Sequence, residues 1–121
     1  MINKKTLVLG ASSNPSRYSY LAVNSLQAKG YEVIAIGKRE GKVGQVQVEI
    51  KEKNIDDLDT VTLYLNAGNQ KQYYNYIFSL HPKRIIFNPG AENEELYSMA
   101  KDKGIFSQEA CTLVLLSTGQ Y

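Results

Sequence analysis

Leu7-Val8-Leu9-Gly10-Ala11-Ser12-Ser13-Asn14-Pro15-Ser16-Arg17 is the stretch whose reading decides the fold. A short apolar run meets a glycine, then a tight polar loop, then residues at helical spacing. This is the order of elements at the first strand-to-helix turn of a nucleotide-binding α/β domain. A dinucleotide fingerprint asks for three glycines, G-x-G-x-x-G, and the corresponding places here hold Gly10, Ser12 and Pro15. The loop still offers backbone N–H groups, two hydroxyls and a helix N-terminus, all of which suit an anion.

Outward from this loop, residues 5–10 are apolar without strict alternation, as in a strand buried on both faces. The helix that follows places Tyr18, Leu21, Ala22, Ser25 and Leu26 on one face. Asn14 or Ser16 suits its N-cap, Pro15 an early position, and Gly30 the position just past its end. Residues 31–36 then read as a second strand ending at Gly37. Strand, helix and strand in about thirty residues make a βαβ unit, whose crossover is right-handed and whose strands are parallel.

Residues 37–54 form a glycine-broken connection containing a short edge strand at 46–50, and 54–59 look like a helical turn. A strand at 60–65 leads into a helix over about 70–80 carrying Tyr73, Ile77 and Leu80, stopped by His81-Pro82. A strand at 84–87, a helix at 92–103 with Leu96, Met99 and Ala100 inward, and a strand at 105–107 follow. Residues 110–117 fit a closing helix, although 112–116 also suit a strand. The alternation predicts one domain over residues 1–121: an α/β, Rossmann-like three-layer sandwich with a mainly parallel, doubly wound sheet of about five strands.

The chain has 121 residues, 43% hydrophobic and 21% charged, with a net charge of +2. Lys and Arg are scattered among acids, so there is no basic stripe for nucleic acid. Cys111 is the single cysteine, which excludes an intrachain disulfide and a CxxC redox pair. No apolar run approaches the ~18 residues of a membrane span, and residues 1–5 lead into the first strand with no signal-peptide pattern. A reduced, cytoplasmic setting is the expectation.

Ligands of open parallel sheets sit at the carboxyl ends of the strands. There the candidate binding residues are Gly10, Ala11, Ser12, Ser13, Asn14 and Arg17, with Lys38 and Arg39 after the second strand. Asn66, Asn88 and Gly90 lie in the loops after two later strands. An NAD site wants an acid after the second strand, for the ribose hydroxyls; two cations there favour a phosphorylated ribose instead. That leaves NADP or the 3′-phosphorylated ADP of coenzyme A. Asn66-Ala67-Gly68 and Asn88-Pro89-Gly90 also read as simple capping and turn chemistry.

Gly10-Ala11-Ser12-Ser13-Asn14-Pro15 with Tyr18, the Phe87-Asn88-Pro89-Gly90-Ala91-Glu92-Asn93 turn, and Gly104 with Cys111 downstream together resemble the small stand-alone CoA-binding domain proteins. These are similar to the CoA-binding domain of the succinyl-CoA synthetase α-subunit. The resemblance runs from about Lys4 to Leu116 and implies CoA or an acyl-CoA as cofactor, lying over the first loop. It carries phosphate contacts onto Gly10 to Asn14, the 3′-phosphoadenosine end onto Lys38 or Arg39, and a further loop onto Leu65 to Gly68. The chain departs from many relatives by having Gly37-Lys38-Arg39 in place of a proline- and asparagine-rich turn. It also has Leu65-Asn66-Ala67-Gly68 where an arginine-containing segment is common.

No triad, metal cluster or Walker lysine is visible, so a binding module is expected rather than an enzyme. His81 precedes a strand and falls at the edge away from the ligand loops; Cys111, flanked by apolar residues, reads as a buried structural thiol. An NADP(H)-binding oxidoreductase or redox sensor is one alternative. Another is an interaction domain docking on an acyl-CoA-handling partner. Tyr73, Tyr74 and Tyr76 crowd one helix and raise a self-association surface, in a homodimer or with another protein.

Overall fold

The computed structural model describes residues 4–121. Its first strand, β1 (Thr6–Leu9), is wholly buried, with Leu7 and Leu9 facing one side of the sheet and Val8 the other. That period of two lets one four-residue run feed two cores. Helix α1 (Tyr18–Ala28) and strand β2 (Val33–Ile36) complete the βαβ unit, with β2 parallel to β1.

The glycine-broken connection is a hairpin, β3 (Gly41–Val43) with β4 (Val46–Glu49). β4 is therefore an inner strand, parallel to β2, and β3 rather than β4 forms the edge. Three residues, the first of them Gly41 and the next after them Gly44, carry too little periodicity to announce a strand. Residues 54–59 make a turn and no helix, with Asp57 in the left-handed region at φ 57°.

Beyond it run β5 (Thr60–Leu63), α2 (Ala67–Gln70), a 3₁₀ turn at Lys71–Tyr73, and α3 (Tyr74–Ser79). β6 (Arg84–Phe87), α4 (Glu94–Asp102), β7 (Phe106–Glu109) and α5 (Thr112–Ser117) close the chain. The ambiguous last segment is thus helical.

The sheet has seven strands in the order β3-β4-β2-β1-β5-β6-β7, and every pairing except β3–β4 is parallel. Without the hairpin's outer strand, this is the dinucleotide-fold order 3-2-1-4-5-6. The Rossmann-like α/β architecture stands, with more strands than the expected five because the hairpin and the last parallel strand all join one sheet. Leu7, Leu9, Val61, Leu63, Ile85 and Phe87 pack against α3 and α4. Val8, Ala35, Val48 and Ile86 pack against α1 and α5.

The inward face of α1 differs from its expected one. Ser19, Ala22, Val23 and Leu26 are buried, whereas Tyr18 is 72% and Leu21 42% exposed. The helix begins at Tyr18, and rotating its face by one position brings the smaller Ser19 and Val23 onto the sheet. Full burial of Val23 and Leu26 stabilises this packing by about 1.5–3 kcal/mol each. The three crowded tyrosines also find places: Tyr76 is buried, with its hydroxyl donating to the Lys53 carbonyl at 2.6 Å, the Tyr74 hydroxyl donates to Glu95, and Tyr73 packs half-buried against the same core.

Candidate functional site

The chain leaves β1 for β2 on one side and later returns to β5 on the other, so the switch point lies at the carboxyl ends of β1 and β5. Two glycines let the loops there close on one another. At Gly10, φ is +91° and an added Cβ would stand 2.9 Å from Leu65 and from the Tyr64 backbone. At Gly37 an added Cβ would meet the Ala11 carbonyl oxygen at 2.0 Å. The Ile36 carbonyl accepts from both Gly10 and Ala11 N–H, each at 2.9 Å. The end of β2 is thereby bolted beneath the first loop.

The loop's polar side chains fold it onto itself. Ser12 Oγ accepts from Asn14 N–H at 3.1 Å, and Asn14 Oδ1 accepts from the N–H of Ser16 at 3.0 Å and its hydroxyl at 2.8 Å. Asn14 therefore builds a turn ahead of the helix, while Arg17 occupies the N-cap with no side-chain cap bond. The expected Asn14 or Ser16 cap is displaced because both groups bond to one another. Among the described residues, the N–H groups of Ser12, Ser13, Tyr18 and Ser19 have no partner. Tyr18 and Ser19 hold two of these donors at the positive end of an eleven-residue helix, and Ser12 and Ser13 hold the other two in the loop ahead of it, which makes this stretch a candidate anion cradle.

Ser13, Asn14, Arg17, Lys38 and Arg39 are exposed around this cradle, Ser12 is half-buried and Ala11 buried. The ion pairs of the described residues, Lys5–Glu32 and Lys53–Glu49, involve none of these three cations.

The later loops divide. Asn66 is exposed; its Oδ1 caps α2 by accepting from Asn69 N–H at 3.0 Å, which leaves its amide NH₂ free. Asn88 is 2% exposed and fully engaged: Nδ2 donates to Thr62 Oγ1 and the Leu63 carbonyl, while Oδ1 accepts from Thr112 N–H. Its side chain fastens the end of β6 to β5 and α5. Gly90 N–H donates to Glu92 Oε1 at 2.9 Å. The asparagine and glycine of this turn are brought to the carboxyl edge, but their hydrogen bonds go to protein.

Sequence reasoning passes over Gln70. It is fully buried, donating from Nε2 to the Leu65 and Ala91 carbonyls at 2.7 Å each and accepting from Asn93 Nδ2. It braces the β5 and β6 loops. Its spacing, four residues after the Asn66 cap, is the one available signal.

Tyr64 follows β5, and its hydroxyl is shut off from solvent with no hydrogen-bond partner among the described residues. Burial pushes its phenol up from the ordinary value, only partly offset by the neighbouring Thr112 and Thr62 hydroxyls. Cys111, at the N-cap of α5, is half-buried rather than the enclosed thiol expected. The cap position places it where β7 hands over to α5, at the site edge instead of inside either core.

His81 lines a shallow cleft of about 430 Å³ with Ile55, Asp57, Leu80 and Lys83, at the opposite, amino edge. Among the described residues no three His, Cys, Asp or Glu side chains gather for a metal, and no helix is long and apolar enough to cross a membrane.

A family model described as a CoA binding domain matches residues 4–117. The chain is 26% identical over 103 residues to an uncharacterized protein, YneT, of Bacillus subtilis strain 168, covering 84% of this chain and 76% of that protein. A solved structure of an uncharacterized protein is 47% identical with a TM-score of 0.96, and each chain covers all of the other. A hypothetical protein from Pyrococcus horikoshii OT3 shares the fold at 20% identity and a TM-score of 0.85, covering 96% of this chain and 83% of its own.

Proposed function

The chain belongs to the CoA-binding domain family, and from that premise we propose that it binds coenzyme A or an acyl-CoA along the carboxyl edge of its sheet, without catalysing a reaction by itself. The observation that carries this reading is the first loop: unpartnered N–H groups at Ser12, Ser13, Tyr18 and Ser19, at the helix end that attracts negative charge. The diphosphate sits there. Lys38 and Arg39, free of protein carboxylates, face the 3′-phosphate, where a guanidinium can make two parallel hydrogen bonds. Arg17 adds positive charge at the mouth. The pantetheine arm runs past the Asn66 amide and the Leu65 loop that Gln70 braces.

Titration calorimetry with CoA and dephospho-CoA tests each part. CoA binds, dephospho-CoA binds about tenfold more weakly, and Arg39→Ala weakens CoA by a similar factor, as expected for one charge-assisted pair worth about 1.5 kcal/mol. Equal affinities for the two ligands would remove the role of Lys38 and Arg39. NADPH binding in the absence of any CoA binding would reassign the site to a dinucleotide.

A further inference from the structure

The two helix layers differ in charge. α1 contains no Asp, Glu, Lys, Arg or His, and neither does the whole of residues 110–121, which includes α5. At the chain's 21% charged content, stretches of that combined length would carry about five charges. The two helices touch, lie on the same face of the sheet and share one core. An exposed helix in water normally presents charged residues on its outer side. Here the outer side presents Tyr18, Leu21 and Val114, which are 72%, 42% and 54% exposed.

The opposite layer shows what covering looks like. α4 carries Glu94, Glu95, Lys101 and Asp102. The Phe78 ring of α3 lies beneath Lys103 Nζ at 5.0 Å, and Tyr74 is held by Glu95. Apolar surface on that side is lidded by charged side chains. On the α1/α5 side the cations over an aromatic ring, Lys4 and Arg84 over Tyr121, sit at the amino edge, and among the described residues no ion or cation contact involves Tyr18, Leu21 or Val114.

We propose that the α1/α5 face is a self-docking surface, and that its occupant is the same face of a second copy of this chain. Charge selects that occupant. A two-fold axis pairs residue i of one copy with residue j of the other and sets only residues on the axis against their own duplicates, so any charge close to the axis meets its like. A face with no charge at all is the composition that suits such an isologous contact. A partner presenting acids or bases here would bury them unpaired, which is costly. Tyr and bulky aliphatic residues with charge depleted are also what the centre of an interface contains. Arg17 and Lys29 bound α1 at its two ends and form a rim.

The size sets the strength. α1 is about 16 Å long, and two helices side by side are about 20 Å wide, a footprint of roughly 300 Å² before surface relief is counted. Two such faces come to about 600 Å², below the floor of about 1,000 Å² total for a stable specific interface, which predicts a weak, reversible association with a dissociation constant on the order of hundreds of micromolar.

Sedimentation equilibrium of the full chain without ligand, from about 5 μM to about 1 mM, reads the mass directly. The wild type shifts from one chain toward two across this range. Leu21→Glu and Val114→Glu each raise the dissociation constant by at least tenfold, with unchanged circular dichroism, since both side chains already face solvent. Leu21→Glu and Leu21→Lys are each monomeric alone and form a mixed dimer when combined, an outcome that a merely structural role for Leu21 would not produce. A wild type still monomeric at 1 mM overturns the proposal and gives the face to a different partner. A dimer that Leu21→Glu and Val114→Glu leave intact overturns it by placing the contact elsewhere. No ligand is present, so either result leaves the CoA reading untouched.

Discussion

The amino edge of the sheet is cross-tied from strand to strand, although the N–H groups of residues 54–58 there also lack partners; at the carboxyl edge it is the first loop that leaves its backbone donors without partners. The Lys5 carbonyl accepts from the N–H of Asp59 and Thr60, and the Asp59 carbonyl accepts from Lys83 and Arg84. Arg84 Nε donates to Thr60 Oγ1, while Arg84 Nη1 and Lys4 Nζ both donate to the Tyr121 main-chain oxygen. The Tyr121 ring lies under the Arg84 guanidinium at 4.4 Å and edge-on to Tyr31, and its hydroxyl pairs with Thr6. The carboxyl edge keeps its free amides at Ser12, Ser13, Tyr18 and Ser19. The difference lies in how the strand ends are fastened: one edge is held by side-chain bonds that reach across strands, and the other carries the unpartnered donors that the proposed CoA site would use.

The largest test of that division is Tyr121→Ala. Removing a ring that is only 6% exposed costs about 3–5 kcal/mol, by analogy with other buried aromatic truncations. Urea unfolding measures the loss. Titration of CoA into the variant, at a temperature where it remains folded, gives an affinity close to that of the wild type. Equal losses of stability and affinity would mean that the two edges are not separate.

Gly37→Ala acts in the other direction. Its new Cβ stands 2.0 Å from the Ala11 carbonyl oxygen, a backbone atom that cannot swing away. Opening the contact costs about 1–3 kcal/mol and displaces the loop that carries the free amides. CoA affinity falls at least tenfold by calorimetry, disproportionately to the lost stability. An unchanged affinity would show that the cradle tolerates a shifted loop.

Much of this was legible in the sequence, and the parts that were not have physical reasons. The first βα turn, the parallel sheet and the gathering of the loops at its carboxyl edge follow from apolar runs punctuated by Gly10, Gly37 and Asn66, because a strand buried on both faces leaves that pattern whatever surrounds it. The β3–β4 hairpin did not show, since three residues define no period. The inward face of α1 was misplaced by one position. In an uncharged helix, Tyr18, Leu21 and Val23 look alike as apolar residues, and no acid or base marks the outside. Asn88 lies at the carboxyl edge as its place after β6 implies, but whether its amide is free or tied to protein depends on Thr62 and Thr112, which are far from it in sequence.

Tyr64 and Tyr121 put the contrast in its finest form. Both are phenols raised above the ordinary value mainly by burial, one at each edge. Tyr121 has a hydroxyl partner in Thr6, and Tyr64 has none. Tyr121→Phe therefore removes a made hydrogen bond and destabilises by about 1 kcal/mol, whereas Tyr64→Phe removes an unmet donor and stabilises by up to about 1 kcal/mol. The pH dependence has a definite sign. An unfolded tyrosine ionises near pH 10 while these two stay neutral in the folded chain, so stability is fully present below pH 10 and declines as pH rises above it. Melting temperatures taken from pH 8 to 11 fall less steeply for Tyr64→Phe than for the wild type. Parallel curves would mean that the Tyr64 hydroxyl reaches water, and with that the carboxyl edge would be wetter and more open at its floor than its packing indicates.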